Sequence, residues 1–140
     1  MLHCVGYVSS AAAGFDTSAL TAVITESREA NARKSVTGML CYHEGNFLQF
    51  LEGDRPVVQA LFLAIAKDRR HTGVLEIYNQ PVGERLFPDW TMGLARADQL
   101  SPEQQDLYRN LTQFRLAPDR ASDQRRTVEV FLDTFRRSVR

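Results

Sequence analysis

Two carboxamides and a phenol are the side chains of this sequence best placed to do chemistry. Gln49 stands inside an apolar run, Asn46-Phe47-Leu48-Gln49-Phe50-Leu51-Glu52. Successive side chains of a strand alternate between its faces, so Gln49 shares one face with Phe47 and Leu51, while Leu48 and Phe50 take the other. With both faces apolar the amide is expected to be buried, and each donor or acceptor left unpaired would cost about 1–3 kcal/mol. Tyr7 shares a face with Val5 on another strand-like run. Ser27 and Asn31 extend the helical stripe of Leu20, Val23 and Ile24, so a face that starts apolar ends polar. Taken singly, each of these groups suits an internal hydrogen-bond network, and Asn31 also suits a helix C-cap. Taken together, with Trp90 and Met92 on a neighbouring strand, they point to a polar heteroaromatic ligand lying between two helices, its edge fixed by the amides.

A second cluster, Arg28, Asp68, Arg70 and His71, has two readings. Cations near a helix C-terminus complement the helix dipole, and Arg28 suits a solvated helix face. If a phosphorylated ligand lies between the helices, the same arginines are placed to meet its tail. Metal and nucleophile chemistry have little support. His3, His43 and His71 lack ligand-like spacing, Cys4 and Cys41 form no CxxC pair, and neither Ser9 nor Ser10 has an evident His and Asp partner set. Neither GxGxxG nor GxxxxGK[ST] occurs.

The elements that must position these groups follow from periodicity. Leu2 to Ser9 reads as a strand, and Asp16, Thr17 or Ser18 can cap a helix running to about Ala32. Val36 to Tyr42 and the Gln49 strand form a hairpin about His43-Glu44-Gly45-Asn46. Gly53 and Asp54 end that strand. Pro56 suits the first turn of a second helix, whose inner stripe is read as Val57, Leu61, Ala64, Ile65 and Asp68. Val74 to Val82 and Trp90 to Ala95 read as the last strands. The order β-α-β-β-α-β-β predicts an α+β, ferredoxin-like sandwich: a five-stranded mixed sheet with two helices on one face. A short helix opening at Ser101-Pro102-Glu103, and another over about Ser122 to Val139 with the stripe Val128, Phe131, Leu132, Phe135 and Val139, are expected to cover the other face. The division is residues 1–97 as the sandwich and 98–140 as a helical cap.

Bulk properties set limits. The chain has 140 residues, enough for one domain, and 17 basic residues balance 17 acidic ones. A neutral chain gives no electrostatic case for nucleic acid or an anionic membrane. No apolar run approaches the roughly 20 residues that span a bilayer, and no leader pattern opens the chain. The two cysteines read as reduced core residues of a cytoplasmic protein, which makes the sequon Asn110-Leu111-Thr112 a chance match.

Over about residues 2–96 the sequence resembles the BLUF domain, a blue-light sensor that uses FAD. The resemblance rests on Tyr7-Val8-Ser9-Ser10, Ser27-Arg28-Glu29-Ala30-Asn31, Val36-Thr37-Gly38-Met39-Leu40, Gly45 through Gly53, Asp68-Arg69-Arg70-His71 and Phe87-Pro88-Asp89-Trp90-Thr91-Met92-Gly93. The short tail is similar to that of stand-alone BLUF proteins. The resemblance implies a flavin ring between the two sandwich helices. It makes Tyr7 the phenol bonded to Gln49, places Gln49 at the flavin N5 and O4 edge and Asn31 at the carbonyl edge, and makes Trp90 and Met92 a signalling pair on the fifth strand. The flavin-binding set it implies is Tyr7, Ile24, Ser27, Arg28, Asn31, Phe47, Gln49, Asp68, Arg70, His71 and Met92. The cofactor it implies is FAD, with FMN or riboflavin as alternatives. Ala30 departs from family members that carry an aromatic or His there.

The implied mechanism is a switch with no net reaction. Tyr7 gives an electron to the excited flavin, Gln49 relays the phenol proton, and recombination leaves the amide rotated or tautomerised and the absorption shifted red. Output would pass through the fifth strand to a protein partner or to a homo-oligomer. The competing reading is a colourless interaction module with a structural polar cluster. An acylphosphatase-like enzyme would need an Arg in the first loop, and Ser10-Ala11-Ala12-Ala13-Gly14-Phe15 has none.

Overall fold

The computed structural model describes residues 1–88, 93–96, 100–112 and 121–138. β1 (Leu2–Ala11) leads to α1 (Thr17–Arg33), then the hairpin of β2 (Thr37–His43) and β3 (Asn46–Asp54), α2 (Arg55–Ala66), β4 (His71–Pro81), β5 (Gly93–Arg96), α3 (Pro102–Thr112) and α4 (Ala121–Ser138). The strands form one sheet in the order β4-β1-β3-β2-β5, with β5 parallel to β2 and the other pairings antiparallel. The expected mixed five-stranded sandwich is therefore the observed one, with β1 and β3 at its centre.

Local chemistry explains the boundaries. The Asp16 carboxylate accepts from Ala19 N at 2.9 Å and caps α1. The β2–β3 turn holds Glu44 at φ 48° and Gly45 at φ 81°, the paired positive angles that let a two-residue hairpin follow the twist of its strands. Gly38 is required for another reason: a Cβ there would lie 2.0 Å from the Phe50 carbonyl oxygen on the paired strand. Pro56 stands in the first turn of α2, and Asp54 before it binds the N-terminal amine at 2.9 Å. Ser101 and Gln104 cap α3 reciprocally, with Gln104 N on Ser101 Oγ and Ser101 N on Gln104 Oε1.

Two cores lie on opposite faces of the sheet. Above it, under α1 and α2, are Val5, Ile24, Val36, Leu40, Phe47, Leu51 and Val58. Below it, Leu48, Phe50 and Phe87 from the sheet side meet Tyr108 and Leu111 of α3 and Val128, Phe131 and Leu132 of α4. The rings of Phe50 and Phe131 stack 6.1 Å apart. The tail helices thus cover the second face, as expected. Tyr108 also ties α3 to the hairpin, donating to the Asn46 carbonyl at 2.8 Å.

Three details differ from the sequence reading. α2 ends at Ala66, so Asp68 and Arg70 stand in a connection rather than on the helix. The same helix buries Val58, and Ala64 is exposed. β4 begins at His71 rather than Val74, with Gly73 at φ 62° inside it. Trp90 and Met92 lie outside the described residues.

Candidate functional site

The register of the central strands builds the site. Tyr7 on β1 faces Gln49 on β3, and Leu40 on β2 faces Gln49 from the other side. Side chains directly opposite on antiparallel strands start about 4.5–5.5 Å apart at Cβ, within reach of a phenol and an amide. Tyr7 and Gln49 are each 3% exposed, and the Tyr7 hydroxyl donates to Gln49 Oε1. Burial raises the phenol well above its ordinary pKa, and the negative charge of Asp68 adds to the rise. Tyr7 therefore stays a protonated donor, and the acceptor end of the Gln49 amide is turned toward it.

Around this pair the walls are aromatic. The Tyr7 ring lies 5.6 Å from Phe62 and meets His71 edge-on at 5.8 Å. Phe47 meets His71 at 6.1 Å and Phe15 at 5.2 Å, both near perpendicular. His71 is held at both nitrogens. Nε2 lies 2.7 Å from the Ile65 carbonyl, which can only accept, so Nε2 carries a proton and donates. Nδ1 lies 2.8 Å from the buried Ser9 Oγ.

Beside the pair opens a cleft of about 100 Å³, lined by Tyr7, Phe15, Val23, Ser27, Leu40, Phe47, Gln49, Ile65, Asp68, Arg70 and His71. Its rim is a charged strap. Arg70 binds Glu26 of α1 at 2.9 Å and, through Nε and Nη2, Asp68 at 2.6–3.1 Å. The Arg70 guanidinium holds the Asp68 carboxyl below the usual carboxylate range, against the opposing pull of burial.

Of the residues singled out from sequence, Tyr7, Ser27, Phe47, Gln49, Asp68, Arg70 and His71 come together at this cleft. Ile24, Arg28 and Asn31 do not line it. Ile24 packs in the upper core, and Arg28 is exposed on α1. Asn31 is 2% exposed one turn beyond Ser27, and its carbonyl accepts from Lys34 N and Val36 N, pinning the end of α1 to the start of β2. Phe15, Leu40 and Phe62 were not anticipated. Leu40 was readable from the hairpin register, and Phe15 from being the only aromatic in a small-residue loop.

A family model described as BLUF, sensors of blue light using FAD, matches residues 2–93. The photoactivated adenylate cyclase subunit beta of Euglena longa is 34% identical over 113 residues, which is 79% of this chain and 13% of that protein. The subunit beta of Euglena gracilis shows the same identity and coverage. The chain thus spans only a small part of these relatives. Among solved structures, BlsA in its photo-activated state superposes with a TM-score of 0.78 at 25% identity, over 97% of this chain and 95% of that one. BlrB, a BLUF protein in its dark state, gives 0.71 at 28% identity, over 91% and 94%.

Proposed function

The chain belongs to the BLUF family of blue-light sensors that use FAD, and from that premise we propose that Tyr7 and Gln49 are its photoactive pair. The observation that carries this reading is the buried hydrogen bond from the Tyr7 hydroxyl to Gln49 Oε1 at the wall of the cleft.

The cleft suits a flavin by composition. A planar heteroaromatic ring needs apolar flanks and a polar edge. Val23 of α1, Ile65 of α2 and Leu40 of the sheet supply the flanks, and Gln49 and Ser27 supply the edge. Asn31 stands one turn beyond Ser27 on the same face of α1, so a ring continuing along that helix meets its amide. Ile24 and Arg28 flank the same stretch of α1. Arg70 at the rim suits an anionic tail. His71, with both nitrogens engaged inside the protein, serves as a wall that orients Tyr7 rather than as a ligand-binding donor.

Bound flavin supplies the absorption of blue light and an excited-state electron acceptor. Tyr7 is the phenol positioned to give up an electron. Loss of an electron makes a phenol strongly acidic, and Gln49 Oε1 is where its proton would pass. Return of electron and proton restores Tyr7 and leaves no net reaction. Gln49 is left with a changed hydrogen-bonding pattern, because a carboxamide can present either a donor or an acceptor to the same neighbour. The switch is thus local, and a second element must read it. In this reading residues 1–97 sense light and residues 98–140 cap the sheet. Trp90, Met92 and β5 relay the change to an effector protein or to a second copy of the chain, and the chain itself catalyses nothing.

Tyr7→Phe tests the assignment. The variant should bind flavin and stay yellow, and blue illumination should leave its absorption unshifted. A normal red shift in that variant removes Tyr7 from the donor role.

A further inference from the structure

Glu52 is a carboxylate with 1% exposure at the far end of β3. A charge so buried is tolerated only when it is well hydrogen-bonded. Its oxygens accept from Leu86 N at 2.6 Å, Phe87 N at 2.8 Å and Thr37 Oγ1 at 3.0 Å. Arg85 closes the same junction, donating to Thr37 Oγ1 at 2.8 Å, to the Glu52 carbonyl at 3.1 Å and to the Ser35 carbonyl at 2.7 Å. The start of β2, the end of β3 and the β4–β5 connection therefore meet on one side chain. Phe87, 1% exposed, locks that connection into the lower core. Residues 89–92 follow immediately, and β5 begins at Gly93. On the other side of the clasp, Gln49 stands only about 10 Å away along the same strand.

We propose that Glu52 is a positioning residue for signal output. It fastens the root of the segment that carries Trp90 and Met92 to the strand that carries the photoactive amide, so that a rearrangement at Gln49 reaches β5 through it. This rests on the reading of Tyr7 and Gln49 given above. No contact of Glu52 with the ligand is involved: its carboxylate faces the lower core, away from the cleft. An amide in its place would turn a nitrogen toward one of its N–H or O–H donors and lose a bond that a carboxylate can make.

Trp90 is the single tryptophan of the chain, so tryptophan emission reports on one position. The test follows flavin absorption and Trp90 emission together, before and after blue light, in the flavin-loaded full chain. The wild type should show both a red shift and an emission change. Glu52→Gln should keep the red shift and lose more than half of the emission change, and Arg85→Gln should lose a smaller share. A clasp that merely stabilised the fold would lower the melting temperature and leave the emission change per shifted flavin intact. That outcome overturns the inference, as does a wild type whose red shift comes with no emission change. Should Glu52→Gln fail to fold, Arg85→Gln decides by the same criterion. A wild type without a red shift overturns the underlying reading as well, so the two failures are distinguishable.

Discussion

Gln49 above the sheet and Glu52 below it are neighbours on β3, both nearly inaccessible to water, and they are held in opposite ways. Glu52 is acceptor-only, and three donors from two other segments converge on it. Gln49 is a neutral amide with a donor end and an acceptor end, bonded to a phenol across the strand pair. A saturated carboxylate has one good arrangement. An amide has two that exchange donor for acceptor without burying a charge. The surroundings follow the same division. Below the sheet, Phe50, Phe87, Phe131 and Leu111 are fully buried. Above it, α1 buries only Ile24 and Asn31 among its 17 residues. On the proposed reading, the face that admits the ligand and rearranges is the one whose covering helix α1 is mostly exposed, and the other holds its groups in one arrangement.

The contrast can be broken in order of effect. Gln49→Leu should abolish the light-induced shift altogether while flavin still binds, read by absorption before and after illumination. Phe131→Ala removes a fully buried ring from the rigid face, and should cost about 3–5 kcal/mol of stability in denaturant unfolding while leaving the red shift of the folded fraction unchanged. Loss of the shift in that variant would mean that the two faces are not separable. Arg70→Gln cuts the strap between α1 and the α2–β4 connection. The side chains of these ion pairs are 33–62% exposed, so flavin affinity should fall by only a few fold, in line with about 0.2–1 kcal/mol for solvent-screened pairs, as measured by flavin titration.

The smallest effect concerns acid. Asp68 is depressed in the folded chain by Arg70, so its stabilisation is fully present above the ordinary carboxylate pKa and is lost as pH falls through the depressed folded value. Its side chain is 33% exposed, and screening keeps this below about 1 kcal/mol. Asp68→Asn should therefore flatten the acid limb of a stability-versus-pH curve slightly and leave the neutral region almost unchanged.

Much of this was legible in the sequence because strands alternate strictly. One residue of phase decides which face a side chain takes, and the alternation around Gln49 placed it with Phe47 and Leu51 as observed. The hairpin register then brought Leu40 to the same rung. Helix phase was less readable. α2 is apolar around most of its circumference, so Val57 and Val58 competed for the inward position, and Leu63 remains 60% exposed. Phe62, which packs on the Tyr7 ring, was missed for that reason. The start of β4 was hidden by Gly73, which resembles a helix stop but sits inside the strand at a positive φ. Glu52 was visible as a charge on the face of Leu48 and Phe50. Two of its three partners, though, are backbone N–H groups more than thirty positions along the chain, and side-chain pattern says nothing about those.

The light-minus-dark absorption spectrum of the purified chain decides whether Tyr7 and Gln49 form a flavin-driven switch. Such a switch gives a yellow protein whose flavin bands move reversibly to longer wavelength under blue light and return in darkness. A protein that is colourless and takes up no flavin when offered it, or one that binds flavin and shows no shift, would contradict it.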